Sequence, residues 1–430
     1  MPKKRIIILG AGLSGLSAAW HLQKKGIDCQ VFEKESEVGG LCRSSNINGF
    51  IFDQCGHLLH FKHSYVFNLI RQLLANNLSE YQRSAWVYYL NRYNRYPFQA
   101  NFHSLSSSVA QECLMGFIEA ARNGHPKKKE DLNFLEWINR TFGAGIARHF
   151  MVPYNAKFWT VPPRKLTCDW FGDFIPVPSL PQVIEGAIEE SHRQYGYNAK
   201  FWYPKNMGIG SVPEAFKKQI KNVHTGCAVS QIDIEKKEIR LISGEKEKYD
   251  YLVSTIPLPE MPRLIKGIPK NTLSLFKKLR WNSIFNLNLG IDSADDSGRH
   301  WVYFPEKEFC FFRIGFFHNF YQPYQKKSSF YAEVSYSKEK PLNKNKIVCR
   351  IKDDLKKAGL FSSDVKIISQ EINDIEYGYP IYDANYKQAR EVILKYLTLK
   401  NIIPCGRYGS WRYFSMEDAI LDGKQAADIL

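Results

Sequence analysis

Arg5-Ile6-Ile7-Ile8-Leu9-Gly10-Ala11-Gly12-Leu13-Ser14-Gly15 is a short β-branched run that leads directly into a G-x-G-x-x-G motif. The run predicts a buried parallel strand, and residues 16–25 predict a helix that ends near Gly26. Residues 29–32 predict a second strand, which Glu33 closes. A glycine motif is informative only within such a strand–helix–strand unit, and here the unit is complete. The sequence therefore predicts a Rossmann-like dinucleotide-binding fold.

The glycines of this motif have separate physical tasks. Gly10 permits a tight turn, Gly12 lets the backbone approach a pyrophosphate, and Gly15 lets the helix pack closely on the strand. The helix N-terminus offers N–H groups to the phosphates. Glu33, eighteen residues after Gly15, is placed to accept hydrogen bonds from a ribose hydroxyl. The residues predicted to hold the cofactor here are Gly10, Gly12, Leu13, Ser14, Gly15, Glu33 and Lys34.

The composition narrows the functional classes. The chain has 430 residues, 44% of them hydrophobic and 14% aromatic, which is typical of a globular protein of two or three domains. No apolar run approaches the roughly 20 residues of a transmembrane helix. The net charge of +16 is scattered and accompanies no nucleic-acid-binding module. We therefore expect no nucleic-acid partner and no membrane span, and a basic field that suits an anionic small substrate.

Cysteine and histidine usage indicates neither a disulfide framework nor a metal centre. Nine cysteines are spread along the chain without a C-x-x-C pair, which favours the reducing cytoplasm. His57, His60 and His63 are evenly spaced, but neither cysteine nor carboxylate completes a ligand set at standard spacing. We predict no metal.

A second glycine pair, Gly39-Gly40, follows Glu33 and resembles the FAD-wrapping segment of the amine oxidase and protoporphyrinogen oxidase superfamily. The same resemblance extends to two later stretches: Thr255-Ile256-Pro257 after a predicted strand at 249–254, and residues 405–409 between a predicted strand at 397–404 and a predicted helix at 416–430. The resemblance implies FAD rather than NAD. The further cofactor contacts it implies are Gly39, Gly40, Leu41, His57, Val229, Thr255, Gly406, Arg407 and Asp418.

These segments predict an α/β protein with a discontinuous cofactor domain of the GR2 flavoprotein type. Residues 1–90, 204–270 and 395–430 would form the Rossmann-like FAD-binding domain. Helical periodicity between residues 106 and 151 predicts a mostly helical substrate domain over 91–203. Aromatic and β-branched runs at 277–290 and 309–337 predict an antiparallel-sheet substrate domain over 271–394.

Four longer segments resemble UDP-galactopyranose mutases, the eukaryotic type most of all. They are Gly49–His57, Tyr96–Asn101, Met151–Pro163 and Gly406–Tyr413. The resemblance implies a flavin-dependent isomerase in which N5 of the reduced flavin attacks the anomeric carbon of a nucleotide sugar, displaces UDP and allows pyranose and furanose rings to interconvert. It also implies a role in polysaccharide biosynthesis and NAD(P)H as a possible reductant.

The same resemblance assigns roles to individual residues. His57 falls on a flavin-proximal histidine, and Arg313, Tyr379 and Tyr413 fall on residues that contact the substrate diphosphate. Gly208 and Gly210 match a flavin-facing turn. The catalytic set is thus His57, Arg313, Tyr379 and Tyr413. The substrate-binding set is Tyr96, Gln99, Asn155, Trp159, Asn198, Arg313, Tyr379, Arg407 and Tyr413.

One departure from the mutase pattern concerns charge. A second diphosphate-binding arginine is expected after Trp170-Phe171-Gly172, but Asp173 follows and Phe174 occupies its position. Losing a charge-assisted contact costs about 2–4 kcal/mol unless Arg164 or Lys165 replaces it.

Three other interpretations stay open. The first is an FAD-dependent oxidoreductase of the amine oxidase or protoporphyrinogen oxidase type, which needs no diphosphate site. The second is a flavin-binding protein without catalysis. The third concerns single aromatic residues that could belong to the core, namely Trp159, Trp170, Phe171, Phe174, Tyr379 and Tyr413.

Overall fold

The computed structural model describes residues 4–124, 126, 129, 131–172, 174–191, 193, 195–196, 198–321, 327–360, 362 and 364–430. Within these residues the strands are β1 (Ile6–Leu9), β2 (Cys29–Phe32), β3 (Ser44–Ile47), β4 (Phe50–Asp53), β5 (Ser79–Gln82), β6 (Ala85–Tyr89), β7 (Arg92–Arg95), β8 (Lys200–Tyr203), β9 (Val223–His224), β10 (Val229–Asp233), β11 (Glu238–Leu241), β12 (Lys246–Lys248), β13 (Tyr251–Ser254), β14 (Trp281–Ile291), β15 (Trp301–Tyr303), β16 (Arg313–Phe316), β17 (Ser328–Tyr336), β18 (Ile367–Pro380) and β19 (Ile402–Pro404).

The helices over the same part of the chain are α1 (Leu13–Lys24), α2 (Ser64–Leu74), α3 (Ser107–Arg122), α4 (Phe134–Ile146), α5 (Val152–Trp159), α6 (Leu180–Ile188), α7 (Ser211–Lys217), α8 (Met261–Leu264), α9 (Lys270–Phe276), α10 (Lys344–Lys357), α11 (Tyr386–Leu399), α12 (Gly406–Gly409) and α13 (Met416–Ile429). A π-helical turn at Ala147–Met151 joins α4 to α5. Among these helices none is long and apolar enough to cross a membrane.

A five-stranded parallel sheet, ordered β19-β13-β1-β2-β9, lies at the centre of the nucleotide-binding unit. Its middle strand β1 is completely buried, as the β-branched run predicts. Helix α1 packs against this sheet and against α13. Three distant parts of the chain therefore meet at the carboxyl ends of β1, β13 and β19, where α/β sheets bind their ligands.

The end of the chain corrects one prediction. The strand expected at 397–404 is only β19, because residues 397–399 finish helix α11. Leu397 is buried together with Ala389 and Ile393, so it belongs to a helical apolar stripe and not to a strand. Asn401, with a φ of 59°, separates the two elements.

The region of helical periodicity between residues 106 and 151 forms separate helices. One of them, α4, starts at Phe134 because Asn133 and Glu136 form a capping box. Gly143, with φ 76° and ψ 171°, breaks the helix, which then continues to Ile146 and into the π-helical turn. This irregular stretch leads into α5, which contributes Asn155 and Phe158 to the cavity described below.

A seven-stranded sheet, ordered β18-β14-β17-β16-β15-β6-β7, forms the second layer. Its pairings are antiparallel except between β15 and β6. The run predicted as sheet at 309–337 contains two separate strands, β16 and β17. Strands β6 and β7 come from residues 85–95, so the sheet includes chain from before the 271–394 segment. Arg313 and Glu333 lie directly opposite each other on β16 and β17.

Candidate active site

The N-terminus of α1 is built to receive an anionic group. Gly12 is its N-cap, no side chain caps it, and its first turn carries no acidic residue. Helices α4, α6 and α13, in contrast, begin with capping boxes. A buried helix end needs acceptors for its first N–H groups, and a phosphate supplies them. The chain therefore fits the pyrophosphate of a dinucleotide at this position.

The three motif glycines differ in what surrounds them. A Cβ on Gly10, whose φ is 98°, would lie 2.2 Å from Thr255 Oγ1, and one on Gly15 would lie 2.0 Å from the Gly10 oxygen. A Cβ on Gly12 would come no closer than 4.0 Å, to Gly40 Cα. Gly10 and Gly15 are thus required by the protein's own packing, whereas Gly12 borders open space beside the helix end.

Glu33 is buried at the end of β2, and both of its carboxylate oxygens accept backbone hydrogen bonds. Oε2 accepts from the Ala11 N–H at 2.7 Å and Oε1 from the Glu35 N–H at 2.9 Å. A carboxylate retains further lone pairs, so a ribose hydroxyl can still donate to it. Lys34, also predicted at the cofactor, is exposed, and its Nζ lies 3.6 Å from Glu35.

The second glycine pair lies against the first motif. The Gly39 N–H donates to the Ala11 oxygen at 2.8 Å, and Gly12 and Gly39 form an isolated parallel bridge. Gly39 and Gly40 have φ values of 112° and 59°, which favour glycine. Leu41 follows, half-buried. The two glycine segments therefore close around one end of α1.

The C-terminal glycine turn approaches α1 from another side. Gly406 has a φ of 80°, and a Cβ there would lie 2.4 Å from Ser14 Oγ. Its N–H donates to Asp422 Oδ2 at 2.6 Å, which also accepts from Ser410 Oγ at 2.7 Å. No sequence signal identified Asp422, because its partners lie more than ten residues away.

Three other predicted cofactor residues have protein partners or lie on separate elements. The Asp418 carboxylate accepts the Ser415 N–H at 2.8 Å in the capping box of α13. Thr255 Oγ1 donates to the Leu9 oxygen at 2.9 Å, which joins β13 to β1. Val229 lies on β10, in a three-stranded sheet with β11 and β12.

A cavity of about 150 Å³ lies between the helical segment and the seven-stranded sheet. Six of the predicted substrate residues line it, namely Tyr96, Gln99, Asn155, Arg313, Tyr379 and Tyr413. Nine further residues line the cavity, and the sequence analysis did not predict any of them as a site residue, although it discussed Trp170 and Phe174. They are Phe150, Met151, Tyr154, Phe158, Trp170, Phe174, Ile175, Tyr303 and Phe312. Most are aromatic, and only the fold distinguishes aromatic cavity walls from aromatic core.

Arg313 forms a bidentate ion pair with Glu333. Its Nη2 donates to Glu333 Oε1 at 2.9 Å, and Nε donates to Oε2. Only 2% of the Glu333 side chain is exposed, against 21% for Arg313. The Gly56 N–H also donates to Glu333 at 3.4 Å, so the pair is connected to the Gly56-His57 step. The carboxylate neutralises the guanidinium, which then offers hydrogen-bond donors but little net charge.

Tyr379 and Tyr413 stack on each other with ring centroids 5.3 Å apart. The Arg407 guanidinium lies 5.2 Å from the first ring centroid and 5.9 Å from the second. Burial raises the pKa of Tyr379 to about 12 and also raises the pKa of Tyr413. Both hydroxyls are therefore protonated at neutral pH and can donate to an anionic ligand.

His57 is a neutral imidazole in this structure. Burial, assisted by the positive charge of Arg407, lowers its pKa to about 4. Its Nδ1 is buried and lacks a hydrogen-bond partner among the described residues. A buried ring nitrogen of this kind is costly unless a ligand pairs with it. His60 and His63 have other surroundings, since His60 Nδ1 lies 3.1 Å from the Lys200 oxygen and His63 is the N-cap of α2.

Three predicted substrate residues lie outside the cavity lining, namely Trp159, Asn198 and Arg407. Trp159 is fully buried and packs 4.7 Å from Trp170, as the core interpretation of this residue describes. Asn198 accepts a hydrogen bond from Arg83, whose guanidinium lies 4.9 Å from the Tyr96 ring. Asn198 therefore supports the cavity wall through Arg83 and Tyr96.

Phe174 lines the cavity and contacts Tyr413 edge to face, with centroids 5.1 Å apart. Asp173 lies outside the described residues. Arg164 and Lys165, the suggested replacements for the missing arginine, are exposed on a 3-10 turn, and Lys165 Nζ lies 4.0 Å from Glu339. Neither of them lines the cavity.

A buried carboxyl group holds the turn at Gly208–Gly210. Asp53 accepts hydrogen bonds from Ser44 Oγ at 2.6 Å, Tyr203 Oη at 2.7 Å and the Ile209 N–H at 3.2 Å. Burial raises the pKa of Asp53 from 3.8 to about 7. The folded protein therefore keeps this proton at pH values where the unfolded chain has lost it.

This shift predicts a pH dependence of stability. Between pH 3.8 and about 7 the folded state binds the extra proton, so the contribution of Asp53 to the free energy of unfolding falls as the pH rises. Asp53→Asn should remove a slope of up to about 1.4 kcal/mol per pH unit. Urea unfolding of the wild-type protein and of Asp53→Asn at pH 4, 5, 6 and 7 measures this slope of the free energy of unfolding. Parallel curves would mean that Asp53 titrates normally.

The family model for flavin-containing amine oxidoreductases matches residues 13–430. The chain therefore belongs to this family of flavin-dependent enzymes, as its glycine motifs and the turn at Gly406 predict. Among solved structures, a crystal structure of reduced UDP-galactopyranose mutase superposes on the whole chain with a TM-score of 0.94 and 28% sequence identity, covering 94% of that chain. The predicted resemblance to UDP-galactopyranose mutases is confirmed, whereas the closer resemblance to the eukaryotic type stays a prediction.

Other relatives are similar over less sequence or at lower identity. A probable flavin-containing monoamine oxidase A of Dictyostelium discoideum is 27% identical over 272 residues, which are 59% of this chain and 57% of that protein. The chain thus spans a little over half the length of this relative. A putative protoporphyrinogen oxidase from Exiguobacterium sp. 255-15 has a TM-score of 0.75 at 15% identity, covering 100% and 99% of the two chains, and shows the fold alone.

Proposed function

We propose that this protein is an FAD-dependent nucleotide-sugar mutase that interconverts pyranose and furanose forms of a UDP-linked sugar. The observation that carries the proposal is the cavity, in which Arg313 and the protonated hydroxyls of Tyr379 and Tyr413 meet in one aromatic pocket. Arginine forks and phenol donors suit phosphate oxygens. An amine oxidase needs no such set of hydrogen-bond donors for phosphate oxygens.

Each residue has a task that its surroundings support. When bound and reduced, the flavin supplies a nucleophile, N5, for the anomeric carbon. Arg313, Tyr379 and Tyr413 would hold the diphosphate so that it can leave and return in a fixed orientation. Neutral His57, with its unpartnered Nδ1, would pair with the flavin. The aromatic walls would exclude water from the reacting sugar.

A second candidate is an FAD-dependent oxidoreductase. The similarity to the Dictyostelium monoamine oxidase favours it, and so does Phe174 in place of the expected arginine. In this candidate the aromatic cavity would hold an apolar amine or a ring compound, and the flavin would exchange electrons with an acceptor. The two candidates differ in how they use the flavin. The mutase needs a reduced flavin that stays reduced from one turnover to the next, whereas the oxidoreductase reduces and reoxidises its flavin in every turnover.

The test uses the purified flavoprotein, oxidised or reduced with dithionite, without oxygen. Each form is incubated with UDP-galactopyranose and a panel of other UDP-sugars, and furanose products are followed by chromatography and NMR. We expect product from the reduced protein only, over many turnovers for each reduction. A parallel reaction with NADPH in place of dithionite tests whether NADPH can reduce the flavin for this reaction. Bleaching of the oxidised flavin by amines, with no furanose from any sugar, would establish the oxidoreductase instead.

A further inference from the structure

A buried lysine connects the two walls of the cavity. Lys157 lies on α5 between Asn155 and Phe158, which both line the cavity, and is only 7% exposed. Its Nζ donates to main-chain oxygens in the connection between β15 and β16. The four acceptors are Phe304 at 2.8 Å, Phe309 at 2.9 Å, Phe311 at 3.3 Å and Glu306. An ammonium group has three N–H donors, so these oxygens use its full hydrogen-bonding capacity.

The connection that Lys157 holds, which we call the 304–312 loop, leads directly into the cavity wall. The Phe304 N–H donates to the Phe312 oxygen at 2.9 Å and closes the loop. Phe312 and the next residue, Arg313, both line the cavity. The position of Arg313 relative to α5 therefore depends on how this loop is held.

Two helices hold the 304–312 loop in different ways. The side chains of Phe304, Phe309 and Phe311 pack with apolar side chains of α10 in one cluster. The Asp354 carboxylate of α10 accepts the Cys310 N–H at 2.7 Å. Helix α10 thus holds the loop by its side chains and one N–H, whereas α5 holds it by its carbonyl oxygens.

A second buried side chain connects α5 to the same sheet. Asn282 on β14 is completely buried, and its Nδ2 donates to the Phe158 oxygen at 2.6 Å. Its Oδ1 accepts the Tyr379 N–H at 2.8 Å. Helix α5 is therefore a common reference for two residues of the predicted catalytic set, Arg313 and Tyr379.

Stability is a poor explanation for a lysine at this place. Burial lowers the pKa of Lys157 to about 7, because the charged form is costly away from water. A buried ammonium is for the same reason an inefficient way to stabilise a fold. Only a group with several N–H donors, however, can hold several carbonyl oxygens around one point. The ammonium group thus has a geometric task in the loop.

We propose that Lys157 is a positioning residue that fixes Arg313 relative to the cavity wall formed by α5. This inference rests on the proposed function, because the ligand between the two walls is taken to be a UDP-sugar. The ammonium group holds the 304–312 loop, the loop holds the start of β16, and Arg313 then meets the diphosphate in one orientation.

The test is calorimetric binding of UDP to the purified holoprotein at pH 6, below the pKa of Lys157. Lys157→Met keeps the length of the side chain without its donors. It should weaken UDP binding about tenfold, since a misplacement of about 1 Å costs up to about a hundredfold. Asp354→Ala is the matched control, because it leaves the Cys310 N–H of the same loop without its acceptor. It should lower the Tm but change UDP affinity by less than about threefold, since it acts through α10.

Chemical rescue gives a second readout, which a loss of stability alone does not predict. Lys157→Ala lacks Cγ, Cδ, Cε and Nζ, the atoms that propylammonium supplies. Propylammonium chloride should restore most of its UDP affinity, whereas tetramethylammonium chloride at the same concentration, which has no N–H donor, should not.

The outcomes separate this inference from the proposed function. Wild-type UDP affinity in Lys157→Met would overturn the role of Lys157 and leave the proposed function standing. So would an equal loss of affinity in Asp354→Ala, or an equal effect of the two salts on Lys157→Ala. A wild-type protein that binds neither UDP nor a UDP-sugar would overturn both proposals.

Discussion

Gly12→Val should yield a folded protein that no longer retains FAD. The valine side chain would occupy the open space beside the N-terminus of α1, where the pyrophosphate is expected, while the nearest protein atom to its Cβ is 4.0 Å away. We expect flavin content to fall from near one per chain to below about a tenth, since a blocked phosphate contact removes several charge-assisted hydrogen bonds. The ratio of flavin to protein absorbance measures it.

The control is the neighbouring glycine that the fold itself requires. In Gly15→Ala the new Cβ would lie 2.0 Å from the Gly10 oxygen, so the apoprotein should unfold at a lower temperature. Apo Gly12→Val should unfold within a few degrees of apo wild type. A yellow, fully loaded Gly12→Val protein would show that the cofactor does not use this helix end.

The sequence predicted best those features whose residues lie close together along the chain. The β1–α1–β2 unit was predictable because its strand, glycines and acid are local. The glycine turn at Gly406 was recognisable by its resemblance to the flavoprotein superfamily because its glycine pattern is compact. The strand at 397–404 was assigned too long because residues 397–399 end helix α11. Over three residues, the spacing of apolar side chains does not distinguish a helix from a strand.

Contacts between distant segments were out of reach of the sequence. The sequence resemblance placed Arg313 at an anionic substrate, but its partner Glu333 is identified only by the register of β16 and β17. Lys157 lies over a hundred residues from Phe309, and no pattern in either segment places them together. Residues such as Tyr154 and Phe312 line the cavity only because α5 packs beside the seven-stranded sheet.

The Arg313–Glu333 pair leads to two opposite expectations for ligand binding. Arg313→Met removes the donors and leaves the Glu333 carboxylate buried and unpaired beside an anionic ligand. Breaking a buried pair in this way costs about 3–5 kcal/mol of stability. Binding of UDP should weaken at least about a hundredfold, because a charged donor pair is lost and a repelling charge appears.

Glu333→Gln should act the other way on affinity. Glutamine keeps the shape and can still accept from the Gly56 N–H, but the Arg313 guanidinium regains its net positive charge. UDP should then bind several-fold more tightly, while the free energy of unfolding falls because the buried guanidinium loses its counter-ion. Calorimetric titration with UDP and urea unfolding of the same samples give both quantities.

The double variant Arg313→Met with Glu333→Gln separates charge from structure. It leaves no buried unpaired charge, so its stability should recover most of what Arg313→Met loses, whereas its UDP affinity should stay low because the donor fork is absent. If Arg313 only holds the sheet together, the double variant should recover affinity along with stability. Low affinity in a stable double variant would therefore assign the Arg313 guanidinium to the ligand, and the Glu333 carboxylate to limiting how strongly that ligand is held.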